Sequence, residues 1–320
     1  MNPLCSLGPA FHEELWYSII ARHMRDRGYL NRQAAFEHLF GHSSVSVCMA
    51  CPCGLPGLAR QFELHDVCPA RDFCRRLTVV PYFLAFASSL PKDELAGANP
   101  LAVQEEMFSH WEARSPFRPH RLRYCRSCSL VDIAAVGEAY WHRVHQLPGV
   151  FYCPDHGDRL MDSSVGISPG RNNYWTAHQR RLQWTPVTRP GSQKATAFWQ
   201  SIARYSRDIL AAGPARPLFL GHTAYANLLR ACGFAAKGGR VADGNLMKAL
   251  AQHFHDQGLK LDWFGPQDWW SRAFTAVPGR IFPVQHISLR RFIALNLPGG
   301  DLDPIVLDRL YMHSSAGLQP

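Results

Sequence analysis

The chain has 320 residues, 47% of them hydrophobic, and carries a formal net charge of +9 at pH 7. This length accommodates two or three modules with cores of their own, and the basic balance favours a polyanionic partner. The longest apolar run, residues 79–87, is too short to span a bilayer, and no export signal is recognisable. We therefore expect a cytoplasmic protein without membrane association, in which the ten cysteines are metal ligands or reduced thiols rather than disulfides.

Residues 9–41 are predicted to form two helices. Glu13 and Glu14 suit the first turn of the first helix, where acidic groups favour the positive helix end, and Gly28 can end that helix. Its apolar stripe consists of Leu15, Trp16, Ile19, Ile20 and Met24. A second stripe lies within residues 35–40, and the pair suits either a helix-turn-helix unit or a plain helical hairpin.

Residues 45–75 are rich in cysteine. The five are Cys48, Cys51, Cys53, Cys68 and Cys74. Cys48 and Cys51 have metal-ligand spacing, but no second pair with the same spacing accompanies them. Because cysteine is among the most buried residue types, we favour core thiols over a second zinc site in this region.

Residues 77–118 are predicted to be helical with loops, and the densest basic stretch of the chain follows. It consists of Arg114, Arg118, Arg121, Arg123 and Arg126. The stretch fits the backbone of a nucleic acid or a solvated loop equally well, and Arg121 and Arg123 are taken as DNA-binding candidates. Arginine outnumbers lysine 29 to 5, which suits phosphate and base contacts but also the codons of a GC-rich genome.

Two pairs of metal-ligand residues follow, Cys125 with Cys128 and Cys153 with His156. Two residues separate the members of each pair, so both side chains of a pair can reach one ion. A Cys₃His set closes a tetrahedral Zn²⁺ shell without an open position, which predicts one structural zinc and argues against a zinc hydrolase. The alternative is two unrelated clusters.

The segment between the two pairs is predicted to contain a helix over residues 137–145, with Tyr140, Trp141 and Val144 facing inward. His142 and His145 are expected near the ligands in packing or hydrogen-bonding roles rather than as ligands.

Residues 165–195 read as a surface connection, and several helices are predicted after it. One is the helix over 244–257, capped by Asp243, with Leu246, Met247, Leu250 and Phe254 facing the core. Its polar side offers Asn245, Lys248 and Gln252. A short helix over 225–231 and a glycine-containing turn precede it, which is the layout of a DNA recognition unit. The alternative is an ordinary amphipathic surface helix.

The stretch LRYCRSCSLVDIAAVGEAYWHRVHQLPGVFYCPDHGDRL resembles the core of the TniQ/TnsD family of transposon target-site selectors. The similarity rests on the two ligand pairs and the segment from Gly137 to Val150, and it extends to residues 12–22, 39–41, 225–241 and 282–287. Many relatives carry a second cysteine set soon after the first. This chain has no cysteine in residues 157–231, so a second ribbon there is absent.

These observations predict a mainly α fold with a helical N-terminal layer, a central Cys₃His zinc-finger or ribbon module, and a C-terminal helix-turn-helix-like domain. We place the N-terminal TniQ-like domain at residues 1–118 and the zinc module at 119–165. A connecting segment at 166–195 leads to a TnsD-like domain at 196–320. The sequence contains no phosphate-binding loop of the P-loop type and no nucleophile elbow.

The resemblance implies a non-enzymatic target-site selector that binds double-stranded DNA and recruits an AAA+ ATPase regulator and a transposase. The family also implies a second mode, in which the protein works with an RNA-guided CRISPR effector complex, often as a homodimer. A zinc-dependent transcription regulator is the rival from another class, and a zinc enzyme is disfavoured by the full ligand set. The N-terminal layer is the expected protein-binding surface, with Trp16 and Phe36 in its core and Arg22 and Arg25 exposed.

Overall fold

The computed structural model is mainly helical and contains one small antiparallel sheet, which confirms the predicted fold class. It describes residues 7–40, 55–86, 115–167, 174–177, 183–212, 221–237, 240–266, 268–275 and 281–298. Cys48, Cys51, Cys53, Arg114 and the chain after residue 298 lie outside these ranges.

The N-terminal layer contains five helices within the described ranges. They are α1 (Trp16–Asp26), α2 (Arg32–Phe40), α3 (Leu55–Leu64), α4 (Ala70–Leu77) and α5 (Val80–Leu84). Trp16 and Phe36 are fully buried, as predicted. Gly28, with a positive φ of 68°, follows the end of α1, which is the backbone conformation that glycine adopts most readily.

Glu13 and Glu14 precede α1, so their predicted place in its first turn is wrong. The helix begins only at Trp16, because the backbone before it pairs with a distant segment. Glu14 forms an antiparallel bridge with His142, and the Leu15 amide donates to the carbonyl oxygen of Trp141 at 2.8 Å. Tertiary pairing here replaces the local preference of acidic residues for a helix start.

The central module contains β1 (Arg121–Tyr124), α6 (Arg126–Val136), β2 (Met161–Gly166) and β3 (Trp184–Pro186). The strand order is β1-β2-β3 and both pairings are antiparallel. Arg123 lies opposite Asp162, and Asp162 lies opposite Thr185. This sheet holds the chain on either side of the ligand pairs in a fixed register.

The prediction of a helix over residues 137–145 is wrong. The helix of this module is α6, which ends before Gly137. Gly137 ends α6 with a φ of 85°, a left-handed conformation suited to glycine. The following backbone bonds to the N-terminal layer instead: the Arg143 amide donates to the Glu13 carbonyl oxygen at 2.9 Å. Tyr140, Trp141 and Val144 are nevertheless buried, as predicted.

The C-terminal region contains α7 (Thr196–Ala212), α8 (His222–Ala231), α9 (Asp243–Asp256) and α10 (Pro283–Asn296). Eleven residues, 232–242, connect α8 to α9 and include an antiparallel bridge between Ala235 and Val241, so the connection is longer than a helix-turn-helix turn. Asp243 is the first residue of α9 and Ala242 is at the N-cap, so the N-cap position lies one residue before the predicted one.

The buried face of α9 agrees with the sequence pattern except at one position. Leu246, Leu250 and Phe254 are fully buried, as predicted. Met247 is 44% exposed, so its predicted place in the core is wrong. The three buried residues follow the i, i+4, i+8 spacing of one narrow stripe, and Met247 lies beside that stripe.

One hydrophobic cluster runs through all three predicted regions. Phe117 packs edge-on against Trp199 of α7 with ring centroids 5.0 Å apart, and Phe86 stacks on His286 of α10 at 4.8 Å. The domain boundaries at 118, 165 and 195 therefore stay predictions. No helix in the described part of the chain is long and apolar enough to cross a membrane.

The Arg143 guanidinium joins the N-terminal layer to the central module. It donates to the carbonyl oxygens of Arg75 at 2.6 Å and Thr78 at 3.0 Å and pairs with Glu13 at 2.5 Å. We expect Arg143→Ala to lower the free energy of unfolding by about 2–4 kcal/mol, because it leaves buried acceptors without donors. Urea denaturation measures this loss, and exposed Arg27→Ala is the control. Equal midpoints for the two variants would contradict the assignment.

Candidate metal centre and nucleic-acid interface

The two predicted ligand pairs meet at one point. Cys125 follows β1 and is the N-cap residue of α6, Cys128 lies in the first turn of α6, and Cys153 and His156 share one turn. Their ligand atoms all lie within 4.8 Å of one another, and the three cysteines are buried while His156 is exposed. Within the described residues this is the group of histidine, cysteine and acidic side chains arranged to hold a metal ion.

The distances between the donor atoms fit a tetrahedron. Cys128 Sγ lies 3.6 Å from Cys153 Sγ, and His156 Nδ1 lies 3.8, 3.3 and 3.5 Å from the sulfurs of Cys125, Cys128 and Cys153. A Zn²⁺ tetrahedron with bonds of ~2.3 Å to sulfur and ~2.0 Å to nitrogen has edges of ~3.5–3.8 Å. The four donors therefore have both the chemistry and the separation for a four-coordinate zinc ion.

Tight backbone turns place each pair. The Gly157 amide donates to the Cys153 carbonyl oxygen at 2.9 Å, and the His156 amide points at Cys153 Sγ at 3.5 Å. Gly157 has a φ of 72°, which permits this turn. On the other side, the Ser129 amide donates to the Cys125 carbonyl oxygen at 3.1 Å as α6 begins. Local hydrogen bonding thus aims both ligands of each pair at the same point.

The electrostatics of the group favour a cation. Hydrogen bonds from Cys125 and Cys128 lower the pKa of Cys153, whereas hydrogen bonding with the other two thiols raises the pKa of Cys128. Thiolates in contact repel each other, so deprotonation of one sulfur opposes deprotonation of its neighbour. A divalent cation removes that conflict, since it binds the deprotonated form of every cysteine ligand.

Two histidines lie near the ligand group but are not part of it. His145 is fully buried, and Nε2 of its ring lies 3.8 Å from Cys128 Sγ. Burial lowers the pKa of His145 to about 3, so this ring is neutral. His142 pairs instead with Asp132 at 2.9 Å. Both contacts agree with the predicted hydrogen-bonding roles.

The other described cysteines of the N-terminal layer are core thiols. Cys68 and Cys74 are 5% and 8% exposed. Burial raises the pKa of Cys68 to about 11 and that of Cys74 to about 12, which stabilises the thiol form. The interpretation of these two as buried thiols therefore fits.

The α9 candidates for DNA binding share one exposed side of the helix. Asn245, Lys248 and Gln252 are all exposed, opposite the buried stripe. The Gln252 amide donates to Asp256 Oδ1 at 2.7 Å. These side chains are available to a partner, and the amides have the donor and acceptor pattern that binds adenine.

Arg121 and Arg123 have different surroundings. Arg121 is exposed, and its guanidinium donates to the Ser164 carbonyl oxygen at 3.1 Å. Arg123 is only 5% exposed, donates to the Val150 carbonyl oxygen at 3.0 Å and pairs with Asp162 at 3.1 Å. The prediction that Arg123 contacts DNA is therefore wrong, because its guanidinium is buried and paired with Asp162 inside the module.

Comparison with known proteins gives a family match over part of the chain. Residues 9–160 match the sequence model of the TniQ family. Residues 9–160 are a TniQ domain. This TniQ domain includes α1 and all four metal-site residues, so the predicted family is confirmed.

A curated relative extends the similarity. The chain is 25% identical over 174 residues to the Transposon Tn7 transposition protein TnsD of Escherichia coli. The aligned part is 54% of this chain and 34% of that protein, so the chain spans about a third of the relative's length.

We expect the purified protein to contain one divalent metal ion per chain. Cys128→Ser should lower the metal content well below one and reduce solubility as well, because metal binding and folding are coupled. Mass spectrometry of the metals measures the content, and Cys232→Ser, outside the ligand group, is the control. Full metal retention in Cys128→Ser would contradict the site. A content near two would indicate a further site that includes Cys48 and Cys51.

Proposed function

We propose that this chain is a target-site selector of a multi-component DNA transposition system. The observation that carries the proposal is the TniQ domain at residues 9–160, which contains the complete Cys₃His group. The 25% identity to a transposition protein supports the same role. The chain would bind the target and recruit an ATPase regulator, which in turn recruits the transposase.

The metal in this proposal is one structural Zn²⁺. Three thiolates and one imidazole are the donors that zinc prefers, and their separations fit its tetrahedron. When bound, the ion cross-links the first and second ligand pairs and so fixes the segment between them. Four protein ligands leave no coordination position for a substrate, which supports a non-enzymatic role.

Target binding in this proposal is assigned to the exposed side of α9. Asn245 and Gln252 would meet base edges, and Lys248 would reach a phosphate or a guanine. Arg121 is kept as a backbone contact because it is exposed next to the metal module. The net charge of +9 favours association with DNA.

The partner surface is assigned to the N-terminal layer, but with different probes from those expected. Arg22 is 5% exposed and pairs with Glu14 at 2.9 Å, so its predicted exposure is wrong. Arg25 is exposed, as predicted, but its guanidinium pairs with Glu138 and Asp26. Arg27 is exposed at the end of α1 and is the better position for charge reversal.

We expect Asn245→Ala or Gln252→Ala to weaken binding of the specific duplex by about 1–3 kcal/mol and to leave non-specific binding nearly unchanged. Lys248→Ala should weaken binding of all sequences if it meets a phosphate. Selection from a random duplex library supplies the site, and gel shifts measure the variants. Gln33→Ala, exposed on α2, is the matched control.

The absence of any duplex binding by the wild-type protein at low salt would overturn direct recognition. Recruitment through an RNA-guided effector complex, with the chain as a homodimer, would then become the better account. Correctly targeted insertion in vitro without this chain would overturn both modes and favour a transcription regulator.

A further inference from the structure

Helices α3 and α4 form a compact helix-turn-helix within the TniQ domain. Only residues 65–69 connect them, and Phe62 packs edge-on against Phe73 with ring centroids 4.8 Å apart. Asp66 adopts a left-handed φ of 57° in the turn, and the Val67 amide donates to the Phe62 carbonyl oxygen at 2.9 Å. This connection is shorter than the eleven residues between α8 and α9, and closer to the turn of DNA-binding helix pairs.

The second helix of this pair has a basic outer face. Phe73, Cys74 and Leu77 are buried on its inner side. Its exposed arginines are Arg71, Arg75 and Arg76. Asp72, the single acidic residue of α4, pairs with Arg75 at 3.2 Å. The helix, ~12 Å long, thus carries three exposed guanidinium groups and a single carboxylate.

The C-terminal end of α4 is fixed to the metal module. The Arg143 guanidinium donates to the carbonyl oxygens of Arg75 and Thr78, which lie three residues apart at this end. Burial lowers the pKa of Arg143, and the nearby charges of Arg75 and Arg76 lower it further. The positive charges at this end of α4 therefore outnumber the negative charges of Glu13 and Asp72. A bound anion would reduce the repulsion between the arginines.

We infer that α4 is a second DNA contact, which holds the phosphate backbone of the duplex through Arg71, Arg75 and Arg76. The inference rests on the proposed function. It assigns to α4 a surface that adds affinity to the DNA contacts proposed for α9. The exposed side chains of α4 include no asparagine or glutamine, so they suit phosphates rather than adenine edges. Arginine is the residue type best matched to phosphate geometry.

The test uses the full-length, metal-loaded protein and a 30-base-pair duplex of random sequence, with affinity measured at several salt concentrations. We expect Arg71→Gln with Arg76→Gln to weaken binding roughly tenfold and to reduce the salt slope by ~1.8, from two lost phosphate contacts. The matched control is Lys194→Gln with Arg204→Gln, which removes the same charge from exposed positions on other elements. It should leave the slope close to that of the wild type.

Asp72→Asn is the complementary variant, since it removes the carboxylate that pairs with Arg75. We expect tighter binding, a result that loss of folding cannot produce. If the wild type binds the duplex but the arginine pair variant behaves like its control, α4 is not a DNA contact. If the wild type itself does not bind the duplex, the direct DNA recognition proposed above is overturned instead. Loss of binding to the ATPase regulator with unchanged DNA binding would make α4 a protein surface and overturn the inference.

Discussion

The backbone between the two ligand pairs must be hydrogen-bonded inside the protein, and the rest of the TniQ domain is arranged to meet that requirement. After α6 ends, residues 138–150 are almost entirely buried and contain only a short 3₁₀ turn, Val144–Gln146. Leu15 and Arg143 form backbone bonds across to the neighbouring layer. Buried backbone groups without partners are costly, so neither the metal module nor the N-terminal layer is complete alone.

Side chains complete the same arrangement. The Gln146 side chain accepts from the Arg123 amide at 3.0 Å and donates to the Arg123 carbonyl oxygen at 2.9 Å, which ties β1 to the segment. Arg123, Arg143 and Arg22 are all buried and paired with acidic residues. Part of the basic composition therefore stabilises the interior. Net charge and arginine count overstate the nucleic-acid surface, which depends on where the exposed guanidinium groups lie.

The features that the sequence predicted correctly depend on short-range rules. Pairs of ligands with two residues between them converge because a single turn dictates their geometry, and the buried stripe of α9 follows helical spacing. The errors arise where distant contacts override local preference. Residues 138–143 contain good helix formers but bond to the layer around Glu13, and Arg22 and Arg123 are drawn into buried ion pairs. The α3–α4 turn has Asp66 instead of glycine at its left-handed position, and aspartate is a weaker turn signal than glycine.

Hydrogen exchange of the metal-loaded and chelator-treated protein tests the account most directly. Metal removal should raise amide exchange in residues 138–150 and also in α1, because the two share backbone hydrogen bonds. If the metal module positions the C-terminal helices, metal removal should also weaken DNA binding by the exposed side of α9. Unchanged exchange in α1 after complete removal of the metal would contradict the claim that the N-terminal layer depends on the segment between the ligand pairs.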